Sequence, residues 1–276
     1  MSEIRTGWER ENRTHFDDIA ENYDKIRWDY PSEIFHDIVS YCKINITKAV
    51  EIGAGTGKAT APFLDAGYMV TAVEMGQNMV NFLKYKFRDY DNFDVITSTF
   101  EDVQLEQNSY EVVYAASAFH WVDAAVGCPK VVKLLKDGGV FAIFRNNAVP
   151  KRDALFFDVH KIYDTFFYSY YTTDNRTKSI YEMKEADFWK QEEIYRGFRL
   201  SSLEEYGFRN VKMKLYDETL IYTAKEYISL LETYSDHRAL PADNKAALYS
   251  GIEQVIAAHG GYQTLQCIFQ LYMGTK

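Results

Sequence analysis

Three glycines in five positions, Gly53-Ala54-Gly55-Thr56-Gly57, follow the apolar residues Ala49, Val50 and Ile52. Bare backbone at such a place suits close approach by a ligand, because a Cβ would stand in its way. Three chemistries compete for the turn. A phosphate loop of pattern GxxxxGK[ST] needs glycine at 52 and a hydroxyl at 59. The chain has Ile52 and Ala59, so a nucleotide hydrolase is excluded. A dinucleotide turn needs GxGxxG, and here the third glycine comes one residue early. That weakens the case for a seated pyrophosphate and for a nicotinamide-dependent reductase, without removing it.

The remaining chemistry is an adenosyl group without phosphate. Glu74 stands 21 residues after Gly53, at the end of the next apolar run. A carboxylate there accepts both hydroxyls of a ribose, and Met75 beside it offers a polarisable face to a purine. Glu51, just before the turn, either faces an ammonium group or caps a neighbouring helix; its residue type alone leaves both open. His120, in Ala118-Phe119-His120-Trp121, has the intrinsic pKa of a general base. Its alternative is a ring packed beside Trp121. The other histidines, His15, His36, His160, His237 and His259, lack comparable placement.

These residues need elements to hold them. Phe16, Ile19, Ala20 and Tyr23 share one face of a helix over 14–27, and a second helix starts after Pro31 with Ser32 as its cap. From 48 to 147 apolar runs alternate with helical patterns, which predicts five strands in a parallel sheet covered on both faces. Residues 150–208 are aromatic-rich and read as helical with no strand signal. Two late strands, over 210–222 and 264–274, bracket a further helical stretch and bring the sheet to seven. The expected organisation is a core over 1–149 with N-terminal helices as a lid, a cap insertion over 150–208, and completion of the sheet by 209–276. Within the cap, Tyr168, Tyr170, Tyr171, Tyr181, Trp189 and Arg196 are expected to wall a substrate, tyrosine being a common pocket lining as well as a packing residue.

Composition narrows the partners. The 276 residues carry a formal charge of −9 and contain no Lys/Arg block, which disfavours a nucleic-acid partner. Cys42, Cys128 and Cys267 have no CxxC spacing, so neither a disulfide framework nor a metal centre is expected. The opening residues are polar and no apolar run reaches the ~20 residues of a membrane span. The expectation is a soluble, cytoplasmic protein; its oligomeric state is open.

With those residues in place, the segment VEIGAGTGKAT…VTAVEMGQNM resembles motifs I and II of the class I S-adenosylmethionine-dependent methyltransferases. FDDIAENYDKIRWDYP resembles the opening of that family's small-molecule branch, and YAASAFHWVD resembles a segment of its trans-aconitate methyltransferase-like members. The likeness covers roughly residues 14–147. It implies a Rossmann-like, seven-stranded, mostly parallel sheet with helices on both faces. It also implies S-adenosylmethionine as cofactor, with S-adenosylhomocysteine as product. By the resemblance, Gly53, Ala54 and Gly55 hold the methionine end, and Phe100 and Glu101 (or Asp102) meet the adenine. Ala116 and Ser117 line the cofactor after the fourth strand, while Tyr23 and Arg27 cover the methionine end. The family's aspartates are replaced by Thr99 and Glu111. The implied reaction is methyl transfer to a small organic molecule, a carboxylate among the candidates. The rival reading is a cofactor-binding protein without transferase activity.

Overall fold

The computed structural model describes residues 17–171, 193–195 and 198–276. A 3-10 turn, Asp17–Ile19, leads into α1 (Ala20–Ile26), which is followed by α2 (Ser32–Tyr41). Then come β1 (Lys48–Ile52), α3 (Thr60–Asp65), β2 (Met69–Glu74), α4 (Gln77–Lys86), β3 (Phe93–Thr97) and β4 (Tyr110–Ala116). A 3-10 turn, Phe119–Trp121, precedes α5 (Ala124–Leu134), β5 (Leu135–Pro150) and α6 (Ala154–Phe166). The chain continues through β6 (Glu193–Tyr195), β7 (Phe198–Arg199), α7 (Leu200–Glu205), β8 (Arg209–Thr223) and α8 (Ala224–Leu231). It ends with α9 (Ser235–Arg238), α10 (Ala242–Ala258) and β9 (Tyr262–Thr275).

Seven strands form one sheet in the order β3-β2-β1-β4-β5-β9-β8. Strands β3, β2, β1, β4 and β5 run parallel, with β1 between β2 and β4. Lys276 N donates to Gly139 O and Gly138 N to Lys276 O, so β9 ends beside the start of β5 and runs against it. The sheet is therefore mixed but mostly parallel, as the alternating pattern predicts.

The period-two geometry of the strands sorts their side chains. Val50 and Ile52 of β1 and Val113 and Ala115 of β4 enter one apolar layer with Phe100, Phe119 and Phe141. Glu51 and Tyr114 fall on the opposite face, where the Tyr114 ring stacks on Phe63 of α3 at 4.5 Å. Phe35 of α2 meets Phe63 edge-on at 5.6 Å, so both sheet faces are covered in this region. At the far edge, β8 is a 15-residue strand exposed over most of its length and studded with Arg209, Lys212, Lys214, Asp217 and Glu218. No strand lies beyond it among the described residues.

The chain divides into two compact units. A sheet unit comprises Trp28–Asn146, Glu192–Tyr216 and Phe269–Lys276. A helical unit comprises Met1–Arg27, Asn147–Gln191 and Asp217–Ile268. In the helical unit α8 opens with a reciprocal cap: Thr223 Oγ1 accepts the Glu226 amide while Glu226 accepts the Thr223 amide. Asn244 Nδ2 on α10 donates to the Phe166 carbonyl at the end of α6 at 2.9 Å.

Two local expectations give way. Ser32 does not cap α2: it is the first helical residue after Pro31, and its hydroxyl turns to Glu33 instead. Proline with its fixed φ already sets the entry of the chain. Residues 193–195 and 198–199, inside the stretch expected to lack strands, pair as an antiparallel ladder. The order Glu193-Ile194-Tyr195, Arg196-Gly197, Phe198-Arg199 carries a short hairpin signal that the helical reading overlooked.

Candidate functional site

In the sheet unit the strand order reverses between β1 and β4, and in open α/β sheets ligands sit outside the carboxyl ends of the strands at such a point. The glycine turn leaves β1 here, and Ala116, Ser117 and Ala118 leave β4 beside it. Gly53, Gly55 and Gly57 all have positive φ, at 66°, 56° and 79°. A Cβ on Gly53 would stand 2.6 Å from the Ala118 Cβ, so the two segments touch through missing atoms. A Cβ on Gly55 would meet nothing within 4 Å. The turn therefore presents open space over Gly55, with Ala54 buried behind it.

Glu74 ties the turn to β2. Its Oε2 accepts the Gly55 amide at 2.9 Å and its Oε1 the Gly76 amide at 2.8 Å. A carboxylate oxygen accepts more than one hydrogen bond, and these two amides orient the group. Met75 is half-buried next to it.

Glu51 sits deeper, 1% exposed. Its Oε2 accepts the Thr60 hydroxyl at 2.5 Å and the Tyr114 hydroxyl at 3.1 Å. Burial pushes its pKa up to about 8; the two hydrogen bonds oppose the shift and the Glu74 charge adds to it. The side chain thus joins β1 to the first residue of α3 and to β4. This has a consequence for stability. The unfolded chain releases the Glu51 proton near pH 4.5, whereas the folded chain keeps it to about 8. The stabilisation is full below 4.5 and is lost as pH rises through 8. Glu51→Gln, which keeps the neutral shape, is expected to gain on the parent by about 3 kcal/mol between pH 4.5 and 7. Urea unfolding at pH 5 and 7.5 measures it; a pH-independent difference between the two proteins would contradict a protonated Glu51.

After β4, Ser117 holds φ at 51°, a strained value for a residue with a Cβ. Its amide donates to Phe144 O at 2.7 Å and its hydroxyl accepts from Tyr30 at 3.0 Å. Tyr30 is fixed in turn by an edge contact with Phe144 at 4.9 Å. Neither the Ser117 backbone nor the Tyr30 anchor is visible in sequence, because a serine gives no sign of left-handed φ. His120 lies in the following 3-10 turn, its ring 4.8 Å from that of Trp121. At the end of β3, Phe100 is 3% exposed with its ring in the apolar layer and the Lys130 ammonium 5.3 Å from its centroid. Glu101 accepts the Asp123 amide at 3.4 Å, and Thr99 donates to Asp102 at 2.6 Å.

Glu111 belongs elsewhere. Its carboxylate takes the Thr47 and Lys48 amides and the Lys136 ammonium, joining the start of β4 to the start of β1. Tyr23 and Arg27 lie in the helical unit. Arg27 Nε donates to Thr233 Oγ1 at 2.7 Å and Nη2 to Thr233 O at 3.0 Å, with the guanidinium 4.4 Å from the Tyr234 ring centroid. Tyr168, Tyr170 and Tyr171 are also in that unit. Tyr171 is buried, donates to the Asp236 carbonyl and meets the Tyr170 ring at 4.9 Å. Trp189, Tyr181 and Arg196 lie outside the described residues.

The chain is similar to known methyltransferases in part of its sequence and in its fold. Residues 50–143 match a methyltransferase domain family. An uncharacterized methyltransferase of Schizosaccharomyces pombe is 24% identical over 252 residues, 88% of this chain and 87% of that relative. Among solved structures, a candidate type II methyltransferase from Anaeromyxobacter dehalogenans superposes with a TM-score of 0.58 at 17% identity, covering 90% of this chain and 97% of the other. A Haemonchus contortus phosphoethanolamine N-methyltransferase 2, in complex with phosphomonomethylethanolamine and S-adenosylhomocysteine, superposes at 0.52 and 13% identity. That match covers 99% of this chain and 60% of the neighbour.

Proposed function

We propose, from the premise that this chain is a methyltransferase of the class I fold, that it moves a methyl group from S-adenosylmethionine to a small organic acceptor. The observation that carries the reading is the glycine turn at the end of β1 tethered to Glu74 at the end of β2. Open space over Gly55 suits a zwitterionic tail approaching backbone. Glu74 takes the ribose 2′ and 3′ hydroxyls on the oxygens that already hold the turn. Met75 lies against the purine, Phe100 and Glu101 offer backbone and carboxylate to its edge, and Ala116 and Ser117 complete the wall.

When bound, the sulfonium supplies an already activated methyl. The chain's own task is then alignment and exclusion of water. The acceptor class is a carboxylate, supported by the likeness of the post-β4 segment to trans-aconitate methyltransferase-like proteins. A carboxylate brings no proton to remove, which leaves His120 to position the segment beside Trp121. An acceptor that carries a proton would call on His120 as base. The buried free thiols of Cys42, Cys128 and Cys267 fit a reducing, cytoplasmic setting.

Two measurements test this. Calorimetric titration with S-adenosylhomocysteine is expected to give saturable one-to-one binding. Methyl release from labelled cofactor over panels of acids, phenols and amines is expected to favour the acids. Affinity for NADH in place of the sulfonium compound would overturn the donor assignment, and turnover confined to phenols or amines would overturn the acceptor class.

A further inference from the structure

Lys130 of α5 reaches the turn that follows β3, and the proposed reaction gives it no task. Residues 99–103 close on themselves there. The Asp102 and Val103 amides donate to Thr99 O at 3.3 and 3.1 Å, and Thr99 Oγ1 donates to Asp102 at 2.6 Å. One residue earlier the Ser98 amide donates to the Glu74 carbonyl at 3.0 Å, which ties the turn to the end of β2. With these amides turned inward, the carbonyls at the other end need donors of their own. Gln104 Nε2 donates to Asp102 O at 3.0 Å. Lys130 Nζ donates to Glu101 O at 3.1 Å and to Val103 O at 2.5 Å.

The ammonium also lies 5.3 Å from the Phe100 ring centroid, where the negative face of the ring attracts it. Phe100 and Val103 belong to the apolar layer together with Cys128 and Val131 of α5. Burial lowers the Lys130 pKa, and the Asp102 and Glu101 charges oppose that shift. A cation drawn into such a place is tolerated because the two carbonyls solvate it. At the start of α5 the amide of its N-cap residue, Asp123, donates to Glu101 Oε1 at 3.4 Å. The helix therefore grips the turn at two points, once at its N-terminus through the Glu101 carboxylate and again two turns along through Lys130.

A purine seated at this turn is read by its edge. Adenine presents an amino donor beside a ring-nitrogen acceptor, whereas hypoxanthine presents a carbonyl acceptor beside an N–H donor. A carboxylate and a backbone amide spaced for the first edge are mispaired against the second, and such mispairing is what rejects a near-isosteric ligand. The spacing survives only where supporting contacts hold it.

We propose that Lys130 is a positioning residue for the adenine of the methyl donor: by holding the Glu101 and Val103 carbonyls it fixes the Phe100–Val103 turn in the form that tells adenine from hypoxanthine. The inference deepens the proposed function and rests on its placement of the purine at Phe100 and Glu101.

The test titrates the full chain calorimetrically with S-adenosylhomocysteine and with S-inosylhomocysteine, and follows thermal unfolding of each variant. The parent is expected to prefer the adenosyl compound by about tenfold or more. Lys130→Met keeps the unbranched stem and removes the ammonium. It is expected to lose about tenfold for the adenosyl compound and little for the inosyl one, so the preference collapses towards one. Lys130→Arg, with charge and two donors, is expected to retain most of the preference, and Lys130→Gln, with a neutral donor, to fall between. Val131→Ala removes buried volume from the same helix; it should lower the unfolding temperature and leave the preference intact. A parent that prefers the adenosyl compound, with that preference unchanged in Lys130→Met and Lys130→Gln, would overturn the positioning role and leave the donor assignment standing. An equal loss of preference in Val131→Ala would reduce Lys130 to a general stabilising contact and overturn the inference as well. A parent indifferent between the two compounds would overturn the adenine turn, and a parent that binds neither would overturn the donor assignment and this inference together.

Discussion

Glu74→Ala is expected to weaken S-adenosylhomocysteine binding by about a hundredfold or more, the equivalent of roughly 3 kcal/mol. Two losses combine. The ribose hydroxyls lose a charged acceptor, and each charge-assisted hydrogen bond is worth about 1.5–3 kcal/mol. The turn also loses its tether, because Glu74 holds the Gly55 amide as well as that of Gly76. Glu74→Gln separates the two effects. It keeps the reach and one acceptor oxygen but not the charge, so an intermediate loss of about tenfold is expected. Calorimetric titration of parent and both variants decides the matter. Undiminished affinity in Glu74→Ala would remove the ribose assignment, and with it the main support for the adenosyl reading.

Gly53→Ala is expected to cost nearly as much by a different route. The residue's φ of 66° is costly for any side chain, by about 1–2 kcal/mol. Its new Cβ would also lie 2.6 Å from the Ala118 Cβ, closer than two carbons can pack. Overpacking of this kind costs about 1–3 kcal/mol or moves the backbone. Either outcome displaces the turn from the Ser117 segment and lowers both thermal stability and cofactor affinity. The double variant Gly53→Ala, Ala118→Gly removes the collision and leaves the strained φ, so partial recovery of both is expected. Gly67→Ala supplies the contrast: its φ of 84° is equally unfavourable, but the built Cβ meets nothing within 4 Å. It should lose about 1–2 kcal/mol of stability with cofactor affinity unchanged. Thermal unfolding and titration with S-adenosylhomocysteine measure all three, and equal affinity in Gly53→Ala and the parent would refute the close approach.

The parts of this site that were legible in the sequence are local. An apolar run, a glycine turn and an acid at the next strand's end lie within 27 residues, and each follows from backbone geometry or strand alternation. The parallel order of five strands was legible for the same reason. What escaped depends on contacts between distant positions. Glu51 left two roles open because its partner Tyr114 is 63 residues away, and only the fold brings the two hydroxyls and the carboxylate together. Ser117 takes its strained backbone from Tyr30 and Phe144, which no pattern around residue 117 announces. His237 of α9 meets Tyr163 of α6, 74 positions away, so nothing around residue 237 announces its contact. The short β6–β7 ladder was missed for the opposite reason: its signal is local but only five residues strong.

The terminal strand of the sheet carries one more implication. Fifteen residues of β8 end the strand order with main-chain groups that a foreign segment could zip onto, and Met213, Leu215 and Ile221 are exposed along it. Lys212, Lys214, Asp217 and Glu218 interrupt that run with charge, the usual safeguard against edge-to-edge pairing. Neutralising those side chains would then leave a long strand edge open to self-association in a crowded solution, at a distance in the strand order from the glycine turn of β1.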